Sequence, residues 1–190
     1  MRGIEPDCIE SLTETVVGAG LEAIEITMNT KGAAALIDSM VSCAKGRITV
    51  GAGTVLDKNS LREALDAGAS FIVSPVLIDD VVGHCVKNRI PVFPGALTPQ
   101  EVYNAWNAGA TMVKVFPASF FGPSYLKELK GPFNGIKLLA CGGVTAGNIK
   151  EYLSSGADAV AFGASVFKKE WLAKKDFASI GDAVKQLLHK

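Results

Sequence analysis

One lysine and one glutamate each interrupt an otherwise apolar run of this 190-residue chain. Lys114 lies within TMVKVFPA at 111–118, and Glu25 lies within AIEIT at 23–27. An ammonium in a buried parallel strand must be paired or lose its proton, and a neutral lysine amine attacks carbonyl carbon. A carboxylate placed nearby shuttles protons. The two residues therefore indicate a Schiff-base enzyme, although an interior ion pair or a lysine that reaches solvent also fits the pattern.

Two glycine-containing segments follow the last two apolar runs, with the sequences CGGVT at 141–145 and FGAS at 162–165. In (β/α)₈ barrels a phosphate group often binds to the loops after strands seven and eight, on backbone N–H groups. These segments are the seventh and eighth if one strand is missing at the front. We therefore predict a phosphate site there, with simple tight turns as the alternative. We interpret Thr54 and Ser74, which end two other strands, as turn residues.

A repeated unit sets the positions of these residues. The sequences AGLEAIE, AGASFIV, AGATMVK and SGADAVA begin at residues 19, 67, 108 and 155. In each, a helix ends at glycine and an apolar strand follows, as in βα units with a parallel sheet. We predict strands near 22–27, 47–52, 70–74, 90–94, 111–116, 136–140 and 158–163, and helices that include 61–67 and 99–108. Asp57 and Thr98 are the expected caps of those two helices.

Seven strands favour an α/β fold of the (β/α)₈ TIM-barrel class from which most of the first strand is missing. Only residues 1–5 precede the helix predicted near Pro6, which is too few for a full strand. A doubly wound open sheet is the structural alternative. With no linker-like stretch, we expect residues 1–190 to form a single domain. Residues 171–190 are predicted to form one closing helix.

Composition argues against several classes of function. The formal net charge is zero and no basic stripe occurs, which argues against a nucleic-acid partner. No apolar run approaches the ~20 residues of a membrane span, and the start lacks a signal-peptide pattern, so we expect a cytoplasmic protein. The cysteines show no metal-binding or redox spacing and are expected to be free thiols. Histidines are too few for a catalytic metal site, and we expect neither metal nor cofactor. The residues concerned are Cys8, Cys43, Cys85, Cys141, His84 and His189.

Six segments in one order resemble the KDPG/KHG aldolases, which cleave 2-keto-3-deoxy-6-phosphogluconate and 4-hydroxy-2-oxoglutarate. They are IEITMNT (24–30), VGAGTVL (50–56), FIVSP (71–75), PG (94–95), VKVFPA (113–118) and CGGVT (141–145). The resemblance implies a metal-free class I aldolase on a (β/α)₈ barrel, usually a homotrimer. It implies cleavage of 2-dehydro-3-deoxy-6-phosphogluconate, or of its galactonate epimer, to pyruvate and glyceraldehyde 3-phosphate.

The resemblance also implies residue roles. Lys114 would form the Schiff base and Glu25 would act as general acid and base. The pyruvate pocket would be lined by Thr54, Pro75 and Phe116, and the phosphate would lie at Gly142, Gly143, Gly163, Ala164 and Ser165.

Three departures from the family pattern bear on substrate choice and activity. Asn29 stands where many members have a substrate-contacting arginine; the galactonate branch has Asn there and uses an arginine that matches Arg2. Cys141 replaces a threonine, common in the gluconate enzymes, that helps read the C4 hydroxyl. The missing strand is the third departure. These features leave open the choice of epimer, cleavage of 4-hydroxy-2-oxoglutarate, and activity itself.

Two other functions remain as alternatives at this point. The first is a catalytically impaired, N-terminally truncated barrel that binds phosphorylated ligands. The second is a phosphate-binding barrel isomerase or synthase, which normally calls for acid, base or metal-binding residues on several other strands. The sequence offers no such set.

Overall fold

A computed structural model describes residues 1–189, in which short parallel strands alternate with helices. After a 3₁₀ turn at Pro6–Cys8 the elements are α1 (Ile9–Gly18), β1 (Ala23–Thr27), α2 (Ala33–Ala44), β2 (Thr49–Gly53), α3 (Lys58–Asp66), β3 (Ile72–Val73), α4 (Asp79–Lys87), β4 (Val92–Phe93), β5 (Gly95–Ala96), α5 (Pro99–Asn107), β6 (Val113–Val115), α6 (Pro123–Lys130), β7 (Leu138–Cys141), α7 (Ile149–Ser154), β8 (Ala159–Ala161), α8 (Lys169–Ala173) and α9 (Phe177–Leu188). A second 3₁₀ turn occupies Ala118–Phe120.

The chain divides into two compact units, which we describe separately. The first unit comprises Met1–Val73 and Gly163–His189. Its strands β1, β2 and β3 run parallel, with Ala23 opposite Thr49 and Ala52 opposite Ile72. Helix α1 packs against α2 and α9. Fully buried side chains from the helices and strands form the core of this unit; they include Leu12, Ile26, Ile37, Met40 and Ile180.

The second unit comprises residues 74–162. Strands β5, β6, β7 and β8 are parallel neighbours in that order, with Gly95 opposite Lys114 and Lys114 opposite Leu139. Strand β4 continues the line of β5, since the Thr111 N–H donates to the Val92 carbonyl at 2.9 Å. The core of this unit is filled by Leu126, Leu129, Leu138 and Tyr152, each less than 3% exposed.

The four repeated glycines end their helices in the same way. Gly20, Gly68, Gly109 and Gly156 all have φ between 87° and 101°. In the first repeat the Leu21 N–H donates to the Val16 carbonyl and the Gly20 N–H to the Val17 carbonyl, both at 3.0 Å. This pair of bonds is the Schellman motif, and it recurs at the other three glycines. The predicted helix-to-strand unit is therefore confirmed.

The predicted helix caps are also confirmed. Asp57 accepts the Ser60 N–H and Thr98 accepts the Glu101 N–H, and both positions form reciprocal capping boxes. The helices run over Lys58–Asp66 and Pro99–Asn107, close to the expected ranges. All four cysteines are free thiols. Burial raises the pKa of Cys85 to about 11, which makes this thiol inert.

Three expectations need correction. The strand expected at 90–94 covers only Val92–Phe93, and a second short strand follows at Gly95–Ala96, because Pro94 between them has no N–H to donate to a ladder. The closing helix expected at 171–190 is interrupted: α8 ends at Ala173, Lys175 takes φ +53°, and α9 begins at Phe177. Residue 190 lies outside the described residues. The other strands are shorter than predicted because sheet pairing covers only part of each apolar run.

Met1 is hydrogen-bonded along the edge of β1. The Thr27 N–H donates to the Met1 carbonyl at 2.9 Å, and the Met1 amino group donates to the Glu25 carbonyl. Met1 therefore lies beside residues 25–27 of β1. No helix among residues 1–189 is both long and apolar enough to cross a membrane. The expectation of a single domain stays a prediction.

Candidate active site

Lys114 is held inside the second unit by strand β6. All three residues of β6 are buried, and the lysine itself is 7% exposed. Its N–H donates to the Pro94 carbonyl at 2.9 Å, and its Nζ lies 4.8 Å from the centroid of the Phe116 ring. The alternative of a side chain extending into solvent is therefore wrong. The amine is shielded from water and held over an aromatic face, which attracts its charged form.

Phe116 is also one of the residues that line a cavity of about 280 Å³ in the second unit. The ring is 38% exposed, and the Phe116–Pro117 peptide bond is cis. The cavity is lined by Pro75, Val76, Leu77, Gly95, Ala96, Leu97, Glu101, Asn104 and Phe116. The backbone N–H groups of Thr98 and Leu97 donate to the Glu101 carboxylate and lower the pKa of this group. The cavity thus has mostly apolar walls and one fixed negative charge.

Gly95 allows the backbone to close tightly around this cavity. A Cβ added at Gly95 would lie 2.0 Å from the Pro75 carbonyl oxygen, so no larger residue fits without movement of the main chain. Ser74, the residue before Pro75, is fully buried and its hydroxyl donates to the Val76 carbonyl at 2.8 Å. The interpretation of Ser74 as a turn residue is confirmed.

Glu25 is placed in the first unit by β1, opposite Gly51 of β2. It is half-buried, in contrast to the buried Ile24 and Ile26 on either side. Its carboxylate lies across β2, where a Cβ at Gly53 would be 2.7 Å from Oε1. The absence of a side chain at position 53 therefore makes room for this carboxylate, which also keeps access to solvent.

Thr54 directly follows β2 in a strained backbone conformation. Its φ is +54°, a left-handed value that is a genuine outlier for a β-branched residue and costs about 1–3 kcal/mol. Hydrogen bonds on both sides hold it there, from Met28 N–H to the Gly53 carbonyl at 2.7 Å and from Val55 N–H to the Val73 carbonyl at 3.2 Å. Such strain is concentrated at functional sites. Thr54 is thus more than the plain turn residue that its local sequence indicates.

Arg2 and Asn29 both lie exposed at the carboxyl end of β1. The Gly3 N–H donates to Thr30 Oγ1 at 3.2 Å, and the Thr27 and Thr30 hydroxyls are hydrogen-bonded at 3.1 Å. These bonds fix the segment that carries Arg2 against the turn that carries Asn29. The structure therefore brings the two predicted specificity residues to the same end of the strand that positions Glu25.

The loop after β7 is braced by side chains that the sequence analysis missed. Gly142 and Gly143 have φ values of +93° and +80°. Asn148 Nδ2 donates to the Gly143 carbonyl at 2.9 Å, and Asn148 Oδ1 accepts the Thr145 N–H at 2.8 Å. On the other side, the Ser119 N–H donates to the Gly142 carbonyl at 3.0 Å. The spacing Thr145-x-x-Asn148 before a helix was the available signal.

The loop after β8 has a simpler construction. The N–H groups of Val166 and Phe167 both donate to the Gly163 carbonyl, at 2.9 and 2.8 Å. Gly163 and Ala164 are exposed and Ser165 is half-buried. Cys141, the last residue of β7, is half-buried and pairs with Ala161 of β8.

The predicted site residues are divided between the two units. The first unit holds Arg2, Glu25, Asn29, Thr54, Gly163, Ala164 and Ser165, and the second holds Pro75, Lys114, Phe116, Cys141, Gly142 and Gly143. In both units these residues cluster at or just beyond the carboxyl ends of parallel strands, with Glu25 and Lys114 within the strands. Active sites of (β/α) barrels are built at this end of the strands. Within residues 1–189 no cluster of His, Cys, Asp and Glu is arranged to hold a metal ion.

Comparison with known proteins gives consistent matches over most of the chain. The family model described as KDPG and KHG aldolase matches residues 5–183. The 2-dehydro-3-deoxy-6-phosphogalactonate aldolase of Escherichia coli K12 is 32% identical over 169 residues, which is 88% of this chain and 82% of that protein. The 2-dehydro-3-deoxy-phosphogluconate aldolase of Pseudomonas aeruginosa is 34% identical over 144 residues, 75% of this chain and 65% of that protein.

A solved structure described as native KDPGal superimposes with a TM-score of 0.92 at 29% identity, covering all of this chain and 90% of that one. The predicted fold class, an α/β barrel with parallel strands, is therefore confirmed over the doubly wound alternative.

Proposed function

Because the chain belongs to the KDPG and KHG aldolase family, and is thus an aldolase and a carbon–carbon lyase, we propose that it is a class I enzyme. Its proposed reaction converts 2-dehydro-3-deoxy-6-phosphogalactonate, or the gluconate epimer, to pyruvate and glyceraldehyde 3-phosphate. The observation that carries this proposal is the Lys114 amine, 7% exposed within β6 and 4.8 Å from the centroid of the Phe116 ring.

Lys114 is proposed as the nucleophile. Its neutral amine attacks the C2 carbonyl of the substrate, and the resulting carbinolamine loses water to give a protonated imine. The C3–C4 bond then breaks with its electron pair moving into the imine, while the C4 hydroxyl loses its proton. The products are the aldehyde and an enamine of pyruvate, which is protonated at C3 and hydrolysed to free the lysine. The position of Lys114 within β6, 7% exposed, keeps this side chain out of bulk solvent.

Glu25 is proposed as the general acid and base. It would protonate the departing carbinolamine hydroxyl, take the proton from the C4 hydroxyl during cleavage, and return a proton to C3 of the enamine. A group with these alternating tasks must exchange protons with water. Its half-buried position, with the carboxylate lodged beside Gly53, supports this role.

Arg2 and Asn29 support the galactonate epimer as the preferred substrate. Asn29 occupies the position where the gluconate enzymes often have arginine, and Arg2 is exposed at the same end of β1. The similarity to a galactonate aldolase over 88% of the chain supports the same choice. The kcat/KM values for the two epimeric phospho sugar acids test it directly. Equal values, or a preference for the gluconate epimer, would contradict this assignment.

Borohydride trapping tests the lysine. Reduction of the protein in the presence of pyruvate should give a stable adduct, and peptide mapping should place this adduct on Lys114. Lys114→Ala should give none, while Lys137→Ala, which removes an exposed lysine next to β7, should behave as the unchanged protein. Absence of an adduct from the unchanged protein would remove the class I mechanism.

The alternative of an impaired, phosphate-binding barrel has a different signature. It predicts that the phospho sugar acids raise the melting temperature without being cleaved. Adduct formation with pyruvate combined with release of glyceraldehyde 3-phosphate would exclude this alternative.

Self-association into a homotrimer is proposed for the second unit. Phe120 and Phe121, whose rings are in contact, are 71% and 51% exposed, and contiguous exposed apolar groups typically mark a protein contact. Light scattering should give three times the chain mass. Phe120→Ser should lower this mass, and Leu188→Ser, at an exposed apolar residue of the first unit, should leave it unchanged. A monomer before substitution would overturn the proposal.

A further inference from the structure

The loop between β7 and α7 has both carbonyl groups of its glycine pair tied down. The Gly142 carbonyl accepts the Ser119 N–H at 3.0 Å, and the Gly143 carbonyl accepts Asn148 Nδ2 at 2.9 Å. Since neither oxygen is free to turn, neither can present its partial negative charge to an incoming anion. An anion binds to such a loop through N–H groups, and a carbonyl rotated into the site would repel it.

Asn148 uses both ends of its amide for this loop. Its Nδ2 fixes the Gly143 carbonyl, while its Oδ1 accepts the Thr145 N–H at 2.8 Å. The side chain therefore spans residues 143–145 and sets the direction of the peptide groups between them. Its own position is set by helix α7, because the N–H groups of Asn148 and Ile149 both donate to the Thr145 carbonyl, at 3.2 and 3.0 Å.

The packing on the opposite side limits the space beside the loop. A Cβ added at Gly143 would lie 2.4 Å from the Cβ of Ser119, so the loop backbone rests directly on the turn after β6. With φ at +93° and +80°, the glycine pair is free to flip its peptide groups unless other bonds prevent it. The Asn148 amide is the side-chain bond that prevents this at Gly143.

We propose that Asn148 is a positioning residue that gives the enzyme its preference for phosphorylated over unphosphorylated substrates. This inference rests on the proposed function and deepens it. Asn148 does not itself touch the substrate; it holds the Gly143 carbonyl away so that the loop offers N–H groups to the phosphate. Without it, the Gly143 carbonyl samples orientations that face the phosphate.

The synthetic direction of the reaction separates this role from general damage. Pyruvate is condensed with glyceraldehyde 3-phosphate or with unphosphorylated glyceraldehyde, and KM and kcat are measured for each aldehyde. Asn148→Ala should raise KM for the phosphorylated aldehyde about tenfold or more and change kcat/KM for glyceraldehyde by less than about twofold. Asn148→Asp should be worse, because a carboxylate oxygen then faces the Gly143 carbonyl. Asn134→Ala, at an exposed position of the same unit, should match the unchanged protein.

A binding measurement gives a readout that does not require turnover. Inorganic phosphate should raise the melting temperature of the unchanged protein and of Asn134→Ala, but not of Asn148→Ala, relative to chloride at equal ionic strength. Equal melting temperatures of all variants in chloride would show that the loop variant is folded.

Two outcomes overturn the inference: equal losses with both aldehydes, or no loss of phosphate selectivity and phosphate stabilisation in Asn148→Ala. Failure of the proposed function is distinguishable, because it would show as a missing pyruvate adduct in the unchanged protein. The phosphate measurement tests Asn148 in that case too.

Discussion

Strands β1 and β6 each carry one charged residue opposite a glycine, but the two sites are constructed differently. Glu25 pairs with Gly51, and Lys114 pairs with Gly95. Lys114 is 7% exposed between two buried valines, while Glu25 remains half-buried at the edge of solvent. This difference fits the two tasks proposed for these residues, because a nucleophile is more reactive when it is not hydrated and a proton shuttle requires contact with water.

The space beside each glycine is also filled differently. At Gly95 the neighbour is the Pro75 main chain, and a Cβ would lie 2.0 Å from its carbonyl oxygen. At Gly51 and Gly53 the neighbours are side chains, the Phe71 ring at 2.4 Å and the Glu25 carboxylate at 2.7 Å. The β6 site is thus fixed by backbone, while the β1 site has side chains that are able to shift. Substitutions should therefore damage stability at β6 and activity at β1.

The largest effect is expected at the Glu25 carboxylate. Glu25→Gln keeps the shape of the side chain but removes its ability to exchange protons, so kcat should fall about 10²- to 10⁴-fold. The melting temperature should change little. Steady-state kinetics and thermal unfolding check both statements, with Glu22→Gln, at the exposed residue directly before β1, as the matched control. A variant with more than half of the original kcat would show that Glu25 is not the general acid and base.

A backbone clash is expected at Gly95. Gly95→Ala places a methyl group against the Pro75 carbonyl, and overpacking of this kind should cost about 3 kcal/mol or more. Denaturant unfolding measures the loss. Gly83→Ala, in helix α4 where a Cβ meets nothing within 4 Å, should be neutral or stabilising. A Gly95→Ala protein as stable as Gly83→Ala would mean that the β6 site is as adaptable as β1.

These two strands also show what the sequence permits one to predict. The positions of β1 and β6 followed from charged residues isolated in apolar runs, and the helix ends followed from the repeated glycines. The catalytic roles of Lys114 and Glu25 stay predictions. The exact strand ends did not, because Ile72–Val73 and Val92–Phe93 are limited by pairing partners that are distant in sequence.

The contact of the glycine loop with the turn after β6 was likewise not predictable, unlike the Asn148 bonds. Ser119 meets Gly142 only through the turn after β6, so this contact depends on tertiary packing. The left-handed Thr54 and the break before α9 at Lys175 have no local residue signal either, since non-glycine residues rarely adopt positive φ.

A milder effect on activity is expected at Gly53. Gly53→Ala brings a methyl group into the space of the Glu25 carboxylate, which should swing aside because it is the end of a flexible side chain. We expect kcat to fall roughly tenfold, since small misplacement of a catalytic group is costly, with less than ~1 kcal/mol lost in stability. Gly18→Ala, where a Cβ meets nothing within 4 Å, is the control. If Gly53→Ala costs more free energy of unfolding than the free energy equivalent to its loss of kcat, the Glu25 side chain does not move aside.

The aromatic face beside Lys114 should contribute a smaller effect. Phe116→Leu removes the ring that lies 4.8 Å from Nζ, an interaction worth about 0.5–2 kcal/mol. The rate of borohydride-trapped adduct formation with pyruvate should change by about 2- to 30-fold. Phe133→Leu, which alters a ring stacked on Tyr103 in the same unit, should leave the rate unchanged. An unchanged rate in Phe116→Leu would mean that the Phe116 ring does not contribute to the reactivity of the Lys114 amine.

The smallest effects are expected at the surface ion pairs, where the two units again differ. Hydrogen bonding and the charge of Lys175 lower the pKa of Asp7, which lies fully exposed in the first unit. In the second unit, burial alone would raise the pKa of Asp158. The hydrogen bonds from Lys130 and from the Leu138 N–H outweigh burial, so the pKa of Asp158 is lowered overall. An acid with a lowered folded pKa adds stability above its unfolded pKa, near 3.8 for both groups, and loses it as pH falls through the folded value.

Asp7→Asn should therefore lower the melting temperature slightly at pH 7, and Asp158→Asn should lower it more, because its partners are better shielded from water and salt. Both differences from the unchanged protein should shrink as the pH falls below about 3.8. As salt is added, the melting-temperature difference caused by Asp7→Asn should disappear before the difference caused by Asp158→Asn. Thermal unfolding across pH and salt tests the ranking. A larger effect at Asp7 than at Asp158 would reverse the conclusion that the second unit holds its charged groups more tightly than the first.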